Sequence, residues 1–259
     1  MSAAVPPPGL PLTFSGGDAL VTGAASGIGA AIARTLVSAG VRTIGVDLRA
    51  PEPDPDHPAH LQPGVAVDVR DPDLTARLTE AGSAPENLAY LVNCAGVLDN
   101  TGFAGVGREM WMRCLDINLV GAYNTIDALS PFLRNASPAA VVNITSIEAA
   151  RVIALSSPDP TPQYAASKAG LQMLTQTAAR ALAADGVRVN SVSPGFVATP
   201  MAAAHGDTTD LPPALAPRVP AGRFAEPADI ANAVAFLLSD QAGYITGSDL
   251  RVDGGFQLT

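Results

Sequence analysis

A glycine-rich turn, TGAASGIG at residues 22–29, joins a short apolar run to a stretch with helical spacing that extends from Ile28 to Ala39. Glycines at such a junction allow a tight turn and let the backbone approach a pyrophosphate, which the free N–H groups of the helix N-terminus then bind. The pattern predicts a strand, a turn and a helix that hold a dinucleotide. The expected contacts are Gly23, Ser26, Gly27, Ile28 and Gly29.

Further apolar runs recur along the chain, with helical patterns between them. They span residues 42–46, 65–69, 88–93, 139–145 and 187–192. Each run is continuously apolar rather than alternating, which is typical of parallel strands that are buried on both faces. Strands that alternate with helices predict an α/β fold, a Rossmann-type doubly wound parallel sheet with helices on both faces, in a single domain.

Composition limits the possible partners. The chain has 259 residues, of which 47% are hydrophobic and 15% charged, so it has enough apolar residues for one large core. Its net charge of −9 argues against a nucleic-acid surface or an anionic membrane as partner. We expect a flexible arm over residues 1–16 and one catalytic domain over residues 17–259.

Cysteine and histidine are sparse. Cys94 and Cys114 have neither the spacing of a disulfide framework nor that of a metal site, and the three histidines fall in loops rich in proline or glycine. We therefore expect no metal. The sequence shows neither a signal peptide nor a long apolar span, which predicts a cytoplasmic protein that does not enter membranes.

A carboxylate follows the second apolar run. Asp47 comes 18 residues after Gly29, where a carboxylate can accept both ribose hydroxyls of an adenosine and repel a 2′-phosphate. Arg49, two residues later, partly offsets that repulsion. The alternative is a loop carboxylate without a ligand. The first interpretation favours NAD over NADP.

Tyr164 and Lys168 are four residues apart in the sequence YAASK, so on a helix they share one face. An ammonium beside a phenol stabilises the phenolate, which predicts a lowered pKa for Tyr164 and a role as general acid or base. Lys168 is also the only lysine among fifteen Lys and Arg residues. The alternative is two polar residues on a solvated helix face.

The order of these motifs resembles the short-chain dehydrogenase/reductase family. The resemblance rests on TGxxxGxG, Asn93-Cys94-Ala95-Gly96, Asn118, Ser146, Tyr164-x-x-x-Lys168, Pro194-Gly195 with the residues up to Pro200, and the closing stretch Gly247 to Gly255. It covers roughly residues 19–256. It implies an oxidoreductase that moves hydride between a nicotinamide and a small alcohol or ketone.

The resemblance also implies roles for four catalytic residues. Tyr164 exchanges a proton with the substrate oxygen, and Ser146 donates a hydrogen bond to that oxygen. Lys168 holds the nicotinamide ribose and lowers the pKa of Tyr164. Asn118 holds a water that connects Lys168 to solvent, with a buried, satisfied amide as the alternative.

Further cofactor contacts are implied along the chain. They are Asp68 and Val69 at the adenine, Asn93, Ala95 and Gly96 in the central crevice, Tyr164 and Lys168 at the ribose, and Pro194, Gly195, Val197 and Thr199 toward the nicotinamide. Ser26 is not basic, whereas family members that prefer NADP often carry a positive charge there. The cofactor expected from this resemblance is NAD, with NADP as the less favoured choice.

Two segments depart from the family pattern. The interval between Ser146 and Tyr164 is long and rich in proline, and we expect a rigid loop in which Thr161 is the helix N-cap and Pro162 the first helical residue. A second proline-rich segment, Met201 to Pro220, is expected to form the main part of a mobile substrate lid over residues 197–222. Glu148 and Arg151 are candidates for contact with a polar substituent, or else solvated surface residues.

The sequence thus predicts an NAD(H)-dependent oxidoreductase acting on a neutral secondary alcohol or ketone. The alternatives are a 3-oxoacyl-thioester reductase and a catalytically silent dinucleotide-binding scaffold. The small and apolar residues on two helices, one spanning Trp111 to Phe132 and one after Tyr164, exceed what one core face needs. Because family members commonly assemble through these helices, we expect a homotetramer.

Overall fold

The computed structural model describes residues 11–51, 64–85, 87–99, 102–153 and 161–259. Seven strands form one sheet in the order β3-β2-β1-β4-β5-β6-β7, and all neighbouring strands are parallel. The strands are β1 Asp18–Thr22, β2 Thr43–Asp47, β3 Val65–Ala66, β4 Leu88–Asn93, β5 Ala139–Ile144, β6 Val187–Pro194 and β7 Asp249–Val252. The predicted Rossmann-type sheet in a single domain is confirmed.

The described residues form seven α-helices. They are α1 Gly27–Ser38, α2 Leu74–Glu80, α3 Arg108–Leu115, α4 Gly121–Asn135, α5 Pro162–Leu182, α6 Pro200–Ala203 and α7 Pro227–Leu238. Helices α1 and α7 pack together on one face, while α4 and α5 pack on the other. All residues of β4 and β5 are buried, which is why their sequences are apolar apart from Asn93 and Asn143.

Helices α3 and α4 are joined by a π-helical turn, Asp116–Val120, so they form one continuous rod. The sequence predicted an unbroken helix from Trp111 to Phe132. The wider turn carries Asn118, which is only 1% exposed. Its amide is bonded to the backbone of Val97, and single π turns inside α-helices frequently lie at functional sites.

The two edges of the sheet differ from the sequence prediction. Strand β3 has two residues instead of the five predicted, because the chain turns after Val67, where the Asp71 N–H donates to the Asp68 carbonyl. Strand β7 was not predicted as a strand. Its residues are half-buried or exposed, as befits an edge strand of mixed polarity.

The last residues of the predicted N-terminal arm are attached to the domain. Thr13 Oγ1 donates to Asp240 over 2.8 Å, Gly16 N–H donates to the Tyr90 hydroxyl over 2.8 Å, and Phe14 packs edge-on against the Tyr90 ring. Residues 1–10 and nearly all of the proline-rich stretch 51–63 lie outside the described residues. An independent arm is therefore a prediction only for residues 1–10.

Candidate active site

A cleft of about 610 Å³ opens at the carboxyl ends of the strands. Parallel α/β sheets bind ligands at this edge, because the loops that follow the strands meet there. The turns after β1, β4, β5 and β6 contribute to its walls, as do Asp47 at the end of β2 and residues of α5. Most of the residues predicted from the sequence therefore meet in one cavity.

The glycine-rich turn leaves room for backbone contact. Gly23 has a φ of +70°, and a Cβ there would lie 2.8 Å from the backbone nitrogen of Ala95. A Cβ on Gly29 would lie 2.1 Å from the Gly23 carbonyl oxygen. Helix α1 begins at Gly27, and the Ser26 side chain does not cap it. The first N–H groups of α1 are thus available to an anion, which fits the pyrophosphate of a dinucleotide.

Asp47 is fixed by the turn that it faces. Its Oδ2 accepts from Ala25 N over 3.0 Å, and its Oδ1 accepts from Leu48 N over 2.7 Å. Each carboxylate oxygen keeps a lone pair free, so the group can still accept ribose hydroxyls. The carboxylate also connects β2 to the glycine-rich turn.

Asp68 and Val69 lie on the same wall of the cleft as Asp47. The Asp68 carboxylate is bound by Arg70, whose Nη2 lies 2.6 Å from Oδ2 and whose backbone N–H also donates to it. These bonds hold the pKa of Asp68 below its usual value. The Arg70 charge offsets the Asp68 charge, so Asp47 remains the unpaired carboxylate among the described residues of this wall.

The end of β4 is held by a residue that the sequence analysis did not single out. Thr22 Oγ1 accepts from the backbone N–H groups of Cys94 and Ala95, each over 3.1 Å. Ala95 and Gly96 line the cleft as predicted. Thr22 belongs to the TGxxxGxG motif. Its position at the end of β1 was the one sequence feature that could have indicated this role.

Asn93 does not line the cleft. It is 4% exposed, its Nδ2 donates to Asn143 over 2.9 Å, and its Oδ1 accepts from Thr125. Asn143 in turn donates to Thr175 over 2.9 Å. This buried chain of polar groups ties β4 and β5 to α4 and α5. It engages the Asn93 side chain, and contact of Asn93 with a cofactor stays a prediction.

Asn118 lies behind the cleft wall. Its Oδ1 accepts from Val97 N over 2.8 Å, and its Nδ2 donates to the Val97 carbonyl and to Ser167 Oγ, each over 3.0 Å. A Cβ on Gly96 would lie 3.3 Å from Asn118 Oδ1 and 3.5 Å from Lys168 Nζ. The amide is therefore satisfied within the protein, and the space left by the missing side chain of Gly96 adjoins both Asn118 and Lys168.

Lys168 is 4% exposed, and its Nζ donates to the Ile144 carbonyl over 2.8 Å. The same nitrogen lies 5.7 Å from the centre of the Tyr164 ring. Helix α5 places both residues in its first two turns, since it begins at Pro162 after Thr161, as predicted. Burial lowers the pKa of Lys168 from 10.5 to about 8.

The pKa of Tyr164 is raised, which is opposite to the sequence prediction. Burial in the cleft is the main cause, and the negative charge of Glu148 adds to it. A hydrogen bond with Ser146 acts in the other direction. Lys168 does not offset these effects because its own lowered pKa leaves it neutral at the pH where Tyr164 ionises.

Ser146 follows β5 and faces Tyr164 across the cleft. It is 7% exposed, and its Oγ accepts from the backbone N–H of Glu148 over 3.1 Å. A serine hydroxyl that accepts in this way still has its own proton to donate. Ser146 can therefore give a hydrogen bond to an oxygen bound beside Tyr164.

The loop after β6 completes the other end of the cleft. Pro194, Gly195, Val197 and Thr199 all line it, as predicted. Thr199 caps α6, with Oγ1 accepting from Ala202 N over 3.2 Å. Leu215 and Val219, which lie between α6 and α7, pack with Ile147 and Phe256 in a second small core.

Of the predicted site residues, Asn93, Asn118 and the candidate Arg151 are absent from the cleft lining; the others are brought together there. The lining residues missed by sequence reasoning include Cys94, Val97, Ile117, Ile144, Thr145 and Ile153. They lie at or beyond the ends of β4 and β5, except Ile117, which lies in the π turn, and nothing in the sequence marked them as lining residues. Within the described ranges, there is no cluster of side chains suited to a metal ion and no helix long and apolar enough to cross a membrane.

Comparison with known proteins identifies the family. Residues 23–257 match a family model described as enoyl-(acyl carrier protein) reductase, which is one of the models of the short-chain dehydrogenases and reductases. The chain belongs to the short-chain dehydrogenase/reductase family. Membership of this family agrees with the position of Tyr164, Lys168 and Ser146 together in the cleft.

Individual relatives cover almost the whole chain. The 3-oxoacyl-[acyl-carrier-protein] reductase FabG of Staphylococcus epidermidis is 36% identical over 93% of this chain and 99% of its own length. A cis-4-hydroxycyclohexanecarboxylate dehydrogenase of Sinomonas cyclohexanicum is 37% identical over 92% of this chain and 95% of its own length. The structure of carveol dehydrogenase from Mycobacterium avium in complex with NAD aligns over 96% of this chain and all of that one, with a TM-score of 0.81 and 26% identity.

The chain is therefore an oxidoreductase of the short-chain type that depends on a nicotinamide dinucleotide and interconverts an alcohol and a ketone. Its substrate is a small molecule.

Proposed function

We propose that this enzyme uses NAD(H) to interconvert a neutral secondary alcohol and its ketone, with Tyr164 as the acid and base. The observation that carries the proposal is the convergence of Tyr164, Ser146 and Lys168 at one point of a cleft that also contains the glycine-rich turn. A dinucleotide bound there would supply or accept the hydride, and its oxidised nicotinamide would bring a positive charge into the cleft.

Each residue has a stated part in the proton chemistry. Tyr164 gives its proton to the ketone oxygen in reduction and removes it from the alcohol in oxidation. Ser146 donates a hydrogen bond to the same oxygen and stabilises the negative charge that develops on it. Lys168 has donors left after its bond to Ile144, and we assign these to the hydroxyls of the nicotinamide ribose.

The buried position of Asn118 supports a positioning role. Its amide holds the Val97 backbone and Ser167, and the Ser167 hydroxyl donates to the Tyr164 carbonyl over 2.7 Å. Asn118 thereby links the end of β4 to the first turn of α5. Retention of a water beside Lys168 stays a prediction, because the direct bonds of Asn118 are to protein groups.

The preference for NAD follows from the charges near the ribose. Asp47 is an unpaired carboxylate at the end of β2, and no arginine lines the cleft within the described part of the chain. Arg49 is exposed and does not reach the lining, whereas Arg70 is engaged with Asp68. A 2′-phosphate would meet negative charge without a cation to pair with.

A neutral substrate follows from the walls of the reacting end. Ile147, Ile153, Phe196 and Leu215 are apolar, and Lys168 is the one lysine or arginine of the described lining. A polyanionic thioester such as a coenzyme A derivative would find no arginine there. The relatedness to FabG keeps a 3-oxoacyl-thioester reductase as the second candidate.

A catalytically silent scaffold is the rival outside enzymes of this kind. Such a protein would need neither Tyr164 nor Ser146 nor Lys168 in contact with one cavity, yet all three line it.

We propose in addition that residues 197–222 act as a substrate lid within one catalytic domain. A cytoplasmic location is supported by two free thiols, Cys94 and Cys114.

The test is a panel of neutral ketones and alcohols with NADH, NADPH and their oxidised forms, followed by nicotinamide absorbance. We expect turnover of ketones with NADH and at least tenfold lower kcat/KM with NADPH. Turnover confined to 3-oxoacyl thioesters would favour the second candidate. Dinucleotide binding without turnover of any substrate class would favour the scaffold.

A further inference from the structure

A carboxylate stands at the reacting end of the cleft without a part in the proposed proton chemistry. Glu148 lines the cleft two residues after Ser146. Its backbone N–H donates to Ser146 Oγ over 3.1 Å, and its Oε2 accepts from Thr161 Oγ1 over 3.2 Å. Because Thr161 immediately precedes α5, the Glu148 side chain bridges the two segments that carry Ser146 and Tyr164.

This carboxylate has no cationic partner in the described part of the chain. Within the described residues, the ion pairs of the chain all involve other acidic groups, and Thr161 is the one donor to the Glu148 side chain. No described residue donates to Oε1. Burial raises the pKa of Glu148, and its charge in turn raises the pKa of Tyr164, so the two side chains are electrostatically close. A partly buried carboxylate with an unused oxygen gains from a donor on a ligand.

The surroundings of Glu148 restrict what that donor can belong to. Ile147, Ile153 and Leu215 form an apolar wall at the same end of the cleft. A hydrogen-bond acceptor in such a wall distinguishes ligands that carry a donor at that position from ligands that do not, because the rest of each ligand contacts only apolar side chains.

We propose that Glu148 is a specificity-determining residue that accepts a hydrogen bond from a second hydroxyl group of the substrate. The enzyme then favours diols and hydroxyketones over simple alcohols and ketones, and it rejects a substrate that carries a carboxylate in place of that hydroxyl. The inference rests on the proposed function, since it concerns the substrate of the same site. A hydrogen bond to a charged acceptor corresponds to roughly tenfold to a hundredfold in kcat/KM.

Three matched alcohols test this assignment: butan-2-ol, butane-2,3-diol and 3-hydroxybutanoate. The variants are Glu148→Gln, which keeps the shape and removes the charge, and Glu148→Leu, which removes the acceptor. Glu80→Gln is the control, because Glu80 is an exposed carboxylate at the end of α2. We expect the wild type to prefer the diol over butan-2-ol by about tenfold or more in kcat/KM.

The ratio of kcat/KM for the diol to that for butan-2-ol should fall at least threefold in Glu148→Gln and to near unity in Glu148→Leu. Glu80→Gln should retain the wild-type ratio. The ratio for 3-hydroxybutanoate against butan-2-ol should rise about tenfold in Glu148→Gln, since a like charge is removed. Equal ratios in the wild type and both Glu148 variants would overturn the inference while leaving the alcohol dehydrogenase activity in place.

Equilibrium binding measurements distinguish a failure of the Glu148 assignment from a failure of the proposed function. The Kd of each probe for the protein saturated with NAD is measured by ligand-observed NMR, which needs no turnover. Tighter binding of the diol to the wild type than to Glu148→Leu, without turnover of any probe, would support Glu148 and count against the proposed reaction. Equal Kd values in all variants, again without turnover, would overturn both.

Discussion

Lys168 Nζ lies 5.7 Å from the centre of the Tyr164 ring and donates to the Ile144 carbonyl over 2.8 Å. A strand end and a helix are thus joined at the proposed reaction centre by the only lysine of the chain. The ammonium is almost fully buried and has no carboxylate partner among the described ion pairs. Its charge is held there at a cost to stability.

That cost predicts a pH-dependent difference between the wild type and Lys168→Met. The folded pKa of Lys168 is about 8, below the value of 10.5 for the unfolded chain, so between these values the unfolded chain holds the extra proton. Stability of the wild type therefore rises with pH across this window, by on the order of 3 kcal/mol. Lys168→Met lacks this gain, and so does Lys168→Arg, whose guanidinium stays charged. Urea unfolding from pH 7 to pH 10.5 measures the difference, and parallel curves for all three proteins would contradict it.

A single lysine also permits selective chemical modification. At pH 8 a large fraction of Lys168 is unprotonated and nucleophilic, because its pKa is about 8. A small, neutral, amine-directed reagent should inactivate the enzyme in step with labelling of the peptide that contains Lys168, and NAD should protect it. Labelling is followed by mass spectrometry alongside turnover. Full activity after stoichiometric labelling of Lys168 would refute its place under the ribose.

The change Asp47→Asn should shift coenzyme preference toward NADP. It removes the charge that repels a 2′-phosphate and keeps an acceptor for Ala25 N, which holds the glycine-rich turn. We expect the ratio of kcat/KM for NAD to that for NADP to fall roughly tenfold or more. Asp47→Ala should lose affinity for both coenzymes, because the turn loses its hydrogen bond. An unchanged ratio in Asp47→Asn would show that this carboxylate does not meet the ribose.

A methyl group at Gly29 should disrupt the dinucleotide turn. Its Cβ would lie 2.1 Å from the Gly23 carbonyl oxygen, and that contact requires the backbone to move. We expect Gly29→Ala to weaken NAD binding by roughly tenfold or more and to lower the Tm by several degrees. Gly107→Ala is the control, since nothing lies within 4 Å of its added Cβ and its φ is −69°. Calorimetric titration gives both affinities, and similar values for the two variants would contradict the prediction.

The assembly is predicted to be a homotetramer. Val120, Tyr123 and Met173 are 42%, 51% and 61% exposed on the rod of α3 and α4 and on α5. Exposed apolar side chains on neighbouring helices are typical of interfaces between copies. Light scattering at micromolar concentration should give four times the mass of 26.2 kDa. Tyr123→Glu combined with Met173→Glu should reduce that mass, and a monomeric wild type would refute the prediction.

The sequence predicted those features that depend on local pattern. Six strands were located by continuous apolar runs, and Pro162 as the first residue of α5 followed from proline chemistry at helix starts. The edge strand β7 has no such run, so its pairing with β6 is decided by tertiary contact. Local pattern likewise gives no sign of the π turn at Asn118, which depends on a contact with Val97, 21 residues earlier.

Electrostatics was the least predictable part of the site. The spacing of Tyr164 and Lys168 is correct, yet the sign of the Tyr164 pKa shift depends on burial and on Glu148, 16 residues earlier. Asn93 shows the same limit, because an amide at a strand end suits both a ligand contact and a buried network. Here Asn143 and Thr125 engage the side chain in a buried network.

The π turn gives the α3 and α4 rod one residue more per turn than an ordinary helix over that stretch. If the same residues were wound as a regular helix, everything beyond this turn would be rotated by about 100° relative to α3. Asn118 would then leave Val97 and Ser167, and Tyr123 would leave its present azimuth on the surface. One extra residue in this rod thus determines two things. It aligns the loop after β4 with Asn118, and it sets the direction in which the outer face of the rod points toward another copy.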